Sequence, residues 1–264
     1  MPSRFPAHET VMNIFVAESQ PFTADSTLAQ LGRIGQQAQL FTNAADVMAR
    51  TSQGRGGLII VDVAGGGDTG KEMTRQIRTL GKGGMRPKIV AVTREKSGKE
   101  GEQFIAAGMD DFLMRPVLAE KLQSVVQLWG EKIEVDAGMG AVFDSLRSRL
   151  REFGIDEDPV AVAEIVGVAI PQIRERTVDL DLSYKKSDIK GFYSAIHGLK
   201  GGSGGFGTPA FVGMCTRVEK DAGEGAFGVY ESIKEELLKE SMNVLRGLRM
   251  VKEEYESKTP NRNE

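Results

Sequence analysis

Alternation constrains this chain more than any other feature. Between residues 11 and 129, short apolar runs give way to helix-like stretches five times. Strands read at 11–17, 39–42, 58–63, 88–92 and 112–114, and helices at 22–36, 44–51, 70–80, 99–107 and 117–129. A strand that leads into a helix before the next strand reaches its neighbour by a crossover, so the strands pair in parallel. The spacing predicts an α/β sheet with helices on both faces. After Trp129 the β signal stops, and 139–153, 159–182, 189–206, 209–222 and 227–256 read as helices. The links between them are short and polar or Gly-containing, as suits antiparallel neighbours in an all-α bundle. A chain of 264 residues can bury two such cores, and the boundary falls in EKIEVDAG, 131–138.

Composition excludes several classes. A net charge of −3 argues against broad attraction to nucleic acid or anionic membrane. The N-terminus has no long apolar core and no apolar run reaches 18 residues, so neither secretion nor membrane spanning is expected. The single cysteine, Cys215, cannot form an intrachain disulfide or a multi-cysteine metal cluster. A cytoplasmic protein is the expectation.

The stretch DVAGGGDTGKE, 62–72, admits two readings. Gly65, Gly70 and Lys71 make most of a P-loop, in which backbone N–H groups cradle phosphates and a following Ser or Thr hydroxyl ligates magnesium. Glu72 stands where that hydroxyl belongs, and its carboxylate would face the phosphates. The other reading centres on Asp62 at a strand end. Ligands of open α/β sheets bind beyond the carboxyl ends of the strands. There the sequence puts Glu18 after the first strand, Asp62 on the third, Thr93 after the fourth and Arg115 after the fifth.

On these residues, 11–131 resembles the receiver domain of two-component response regulators, which implies a flavodoxin-like (βα)5 fold. The resemblance makes Asp62 the phosphoacceptor, with Thr93 and Arg115 as its hydroxyl and cation, Phe112 at the position of an aromatic switch, and Arg115-Pro116 in place of Lys-Pro. It also implies a Mg²⁺ site of Glu18 and Asp62, weakened because Ala17-Glu18 replaces two shorter carboxylates. Gly65-Gly66 and the planar guanidinium of Arg115 are further departures, so the domain reads as degenerate, a docking or regulatory module. An Asp62 that only orders the strand end is the plain alternative.

Of two histidines, His8 lies in the tail 1–10 and has no partners nearby in sequence. His197 lies on a helix whose Phe192, Ile196, Leu199, Ser203 and Phe206 form an inward stripe; it sits about 100° away and faces solvent. Lys200 and Gly201 follow on the outer face, giving an imidazole with a cation beside it and open space. Imidazole, with a reference pKa of about 6.5, is a competent nucleophile near neutrality. Glycines 201, 202, 204 and 205 each weaken a helix by up to about 1 kcal/mol, which calls for a reason such as close approach of a partner.

His197, Leu199, Lys200, Gly201, Gly207, Phe211, Cys215, Val218 and Glu219 together resemble the motif of histidine phosphotransfer (HPt) domains over 139–258. The resemblance implies a four-helix bundle in which His197 carries phosphoryl, Lys200 assists and Gly201 makes room. Residues 132–138 are then a linker and 259–264 a tail. The whole chain reads as a phosphorelay intermediate, a phosphoryl carrier rather than a conventional enzyme. Its expected partners are a sensor or hybrid histidine kinase and response regulator receivers. No nucleotide is expected, and magnesium would otherwise arrive with the partner. The alternative is an adaptor whose pseudo-receiver docks a kinase or regulator; a nucleotidase using Lys71 is a third reading.

Overall fold

The structure is a computed structural model that describes residues 13–17, 21–51, 57–63, 69–80, 87–94, 98–130 and 137–258. Five strands, β1 (Ile14–Ala17), β2 (Ala38–Phe41), β3 (Leu58–Asp62), β4 (Lys88–Thr93) and β5 (Asp111–Met114), form one sheet in the order β2-β1-β3-β4-β5. The pairs β1–β2, β1–β3 and β3–β4 are parallel, with Ala17 opposite Val61. Helices α1 (Pro21–Arg33), α2 (Ala44–Thr51), α3 (Thr69–Leu80), α4 (Gly98–Ala106) and α5 (Ala119–Gly130) alternate with the strands. The α/β expectation is met. β1, β3 and β4 are largely buried and mostly apolar, built from Ile, Val, Leu, Ala and Phe15 with polar residues only at strand ends, the pattern of strands covered on both faces. The order reverses between β1 and β3, a switch point that opens a crevice at their carboxyl ends.

Helices α6 (Ala137–Glu152), α7 (Pro159–Lys185), α8 (Ile189–Ser203), α9 (Pro209–Gly223) and α10 (Gly228–Lys258) follow, the helical region the sequence called for. α7, α8, α9 and α10 pack in a closed ring, each on two of the others, and α6 packs on α10. Their starts are written in local chemistry. Asp158 accepts from the N–H groups of Val160 and Ala161 ahead of Pro159, Asp188 accepts from Gly191, and Thr208 accepts from Phe211 ahead of Pro209. One expectation needs correction. The helix read as 189–206 stops at Ser203, with Gly204 at its end, so Phe206 leaves the inward stripe and lies half-buried, edge-on to Phe153 at 6.5 Å. Four glycines within five residues remove the propensity that would carry the last turn on.

The chain divides into two compact units, and the division is not a single cut. Residues 96–106, 110–113 and 133–264 form the second, and the remainder the first. Within the second unit Arg174, 1% exposed, donates to both oxygens of Asp111 at 3.0 Å and to the Phe112 carbonyl at 2.7 Å. Lys252, also buried, donates to Asp110 at 2.9 Å and to Glu256 at 2.7 Å. Burial by itself would lower the Arg174 pKa, but Asp111 and Glu175 outweigh it and hold the guanidinium charged. Two carboxylates and two cations are thereby taken out of water as hydrogen-bonded pairs.

Candidate functional sites

Each unit carries one of the sites expected from the sequence. In the first, Asp62 ends β3, Thr93 ends β4 and Arg115 follows β5. The Arg115 guanidinium donates to Asp62 Oδ2, and the Arg115 backbone N–H donates to the Thr93 carbonyl at 2.8 Å. Both side chains are largely buried, with 7% of Asp62 and 16% of Arg115 exposed. The second bond pins the Arg115 backbone to β4 and so aims its side chain across at β3. Arg115 Nε is buried with no hydrogen-bond partner among the described residues. The three residues thus come together, while Glu18 lies outside the described residues, as do His8, Gly65 and Gly66.

This arrangement fits a magnesium ion poorly. Mg²⁺ needs near-octahedral oxygen donors. Ala17 offers none, the Asp62 carboxylate already receives a guanidinium, and no group of three ligating side chains occurs among the described residues. The described residues therefore support no step that runs through a metal at Asp62. Gly70 has a packing role at the same strand end. A Cβ there would stand 2.5 Å from Val63 Cγ1 and 3.0 Å from the Asp62 carbonyl. The start of α3 thus lies directly on the end of β3.

In the second unit, His197 lies on the exposed face of α8, with 66% of its side chain accessible. Phe192, Ala195, Ile196, Leu199 and Ser203 on the same helix are buried. Sequence reasoning placed Lys200 beside His197 but missed what joins them. Glu219 of α9 accepts from His197 Nδ1 at 2.6 Å through one oxygen, and from Lys200 Nζ through the other. The hydrogen bond from Lys200, with a smaller contribution from His197, holds the Glu219 carboxyl below its ordinary pKa against the opposing effect of burial. A carboxylate can only accept, so Nδ1 carries the proton and Nε2 presents its lone pair. Glu219 was already among the residues that carry the HPt resemblance, without a role there; its position one residue beyond the α9 core stripe of Phe211, Met214, Cys215 and Val218 puts it on the flank of the helix.

Two further features frame the imidazole. Tyr193, one turn earlier, lies nearly parallel to it, with centroids 6.0 Å apart and planes 15° apart. A Cβ added at Gly201 would meet nothing within 4 Å, so the outer face of α8 is open beyond His197. Cys215 is buried, and burial pushes its thiol up to about 12, which makes it a small core residue rather than a nucleophile.

Comparisons with known proteins bear on the α/β part of the chain. The sequence model of the response regulator receiver domain family matches residues 14–127. The sensor histidine kinase RcsC of Salmonella typhi is 25% identical over 122 residues, which is 46% of this chain but 13% of that protein. Among solved structures, the co-crystal of the Saccharomyces cerevisiae phosphotransfer protein Ypd1 with the receiver domain of Ssk1 aligns with a TM-score of 0.39 and 22% identity, over 45% of this chain and 88% of that chain. The Escherichia coli RcsC C-terminus, containing a phosphoreceiver domain, aligns at 0.37 and 23% over 48% of this chain and 92% of that one. Vibrio cholerae CheY4 aligns at 0.37 and 21%, over 45% and 98%. Residues 14–127 are thus similar to response regulator receiver domains, and the chain spans only a small part of the curated relative that it matches.

Proposed function

We propose that this protein is a phosphorelay intermediate in which His197 carries the phosphoryl group and the receiver-like domain serves for docking or regulation. The observation that supports this most is the His197–Glu219–Lys200 constellation on the exposed face of α8. An imidazole whose Nδ1–H is held by a carboxylate keeps its Nε2 lone pair outward. That lone pair attacks the phosphorus of an aspartyl phosphate on a partner receiver. The Nε2–P bond forms as the acyl O–P bond breaks, and the electron pair leaves on the partner's carboxylate. No proton need depart. The positive charge that develops on the ring is offset by Glu219, as a triad acid stabilises its imidazolium. Reversal of the same step onto a second receiver returns the ring to its starting state.

The Asp62–Arg115 pair supports the docking role for the receiver-like domain. A guanidinium already bound to the acceptor carboxylate opposes attack by Asp62 on phosphorus, since the pair must first separate. Incubation with a panel of receiver domains charged through their own histidine kinases tests the proposal. An acid-labile, base-stable label that disappears in His197→Ala and persists in Asp62→Ala is expected. Absence of such a label with every donor would leave the adaptor reading in its place.

A further inference from the structure

Lys200 was the cation expected to meet the phosphoryl group, yet it is committed to Glu219. A different cation stands on the other flank of His197. Gly198 follows His197 on α8, and the space its side chain would fill is taken by Arg176 of α7. A Cβ at Gly198 would lie 2.8 Å from Arg176 Nε, 3.0 Å from Cζ and 3.2 Å from Cδ. The guanidinium therefore rests against the α8 backbone at the residue next to the nucleophile, an approach only glycine permits. Successive helical residues are about 100° apart. Arg176 thus occupies the α7 side of α8 and the Glu219–Lys200 pair the α9 side, with the imidazole between them. Arg176 is exposed and forms no ion pair with any described residue.

Building on the phosphotransfer reading, we propose that Arg176 is the phosphoryl-binding cation of the His197 site, ligating oxygens of the group as it moves on or off Nε2. Its planar fork of N–H donors matches two oxygens of a phosphoryl group, which an ammonium tied to a carboxylate does not. Packing against Gly198 restricts the long side chain in advance, so less freedom is lost when the oxygens arrive. Gly198 then has a functional reason to be glycine in the middle of a helix.

The test uses the full chain and radiolabelled phosphoramidate as donor, whose P–N bond breaks and releases ammonia as the Nε2–P bond forms. His197 label is distinguished from Asp62 label by its stability to base and its loss in His197→Ala. Arg176→Ala is expected to lower the rate constant of His197 labelling about tenfold or more, the worth of a charge-assisted hydrogen bond, with an unchanged thermal melt. Arg176→Lys is expected to restore part of the rate. Gly198→Ala, whose methyl displaces the guanidinium, should slow labelling in the parent protein but not further in Arg176→Ala. An unchanged rate in Arg176→Ala, or equal slowing by Gly198→Ala in both backgrounds, overturns the role of Arg176 while leaving His197 as carrier. Absence of any His197 label on the parent protein overturns both.

Discussion

Glu219→Ala isolates the contribution of a carboxylate that touches the nucleophile without reacting. The substitution removes a 2.6 Å charge-assisted bond to His197 Nδ1 and the partner of Lys200. Hydrogen bonds to charged groups are worth about 1.5–3 kcal/mol when sheltered. Glu219 is sheltered, at 13% exposure, but the imidazole is 66% exposed, so solvent screening reduces this to about 1–2 kcal/mol. If that stabilisation applies to the positively charged ring of the transition state, transfer to His197 slows about 5- to 30-fold. Glu219→Gln keeps an acceptor for Nδ1–H but not the charge, and its rate should fall between the two. Quench-flow labelling at saturating donor reads the rate, and ¹⁵N shifts of the imidazole report the tautomer. The proton should sit on Nδ1 in the parent protein and distribute over both nitrogens in Glu219→Ala. An unchanged rate together with an unchanged tautomer population would refute the reasoning. The Glu219 pKa in the folded state lies below its ordinary value of 4.5, chiefly through Lys200. Its contribution to stability is therefore complete above that value and lost as pH falls through the folded one, an acid sensitivity that Glu219→Gln should lack.

Other consequences can be measured independently. Arg115→Ala leaves the Asp62 carboxylate largely buried without its guanidinium, and urea unfolding should show a loss of about 2–3 kcal/mol, with Asp62→Asn relieving part of it. Arg174→Ala strands Asp111 at 0% exposure beside Glu175, so the cost should reach about 3–5 kcal/mol, whereas Arg174→Met with Asp111→Leu should recover most of it by denaturant titration. Cys215, with its thiol raised to about 12, should resist an aromatic disulfide reagent at pH 8 in the native protein and react at once in denaturant.

Much of this molecule was legible in one dimension. Five strands and ten helices lie within a few residues of where the apolar period and the short polar links placed them, and in the structure Asp158-Pro159, Asp188 and Thr208-Pro209 mark three of the helix starts by contacts two or three residues long. His197 could be set on an outer face because helical geometry fixes which way a side chain points relative to its own stripe. Phe206 was misplaced for a local reason too, a run of glycines whose summed cost ended α8 early.

Tertiary structure alone decided what each of those side chains meets. Glu219 lies 22 residues from His197, and Asp111 lies 63 residues from Arg174. Arg115 reaches Asp62 across 53 residues, and Arg176 meets Gly198 from another helix. Periodicity assigns a residue to a face but is blind to the rotation and offset of the helix or strand packed against it. A shift of one residue between α8 and α9 would preserve both apolar stripes while taking Glu219 away from His197. The chain by itself therefore determined its elements, its inward faces and the candidate nucleophile. Packing determined which charges are neutralised, leaving Lys200 paired to Glu219 and Arg176 without an ion pair among the described residues.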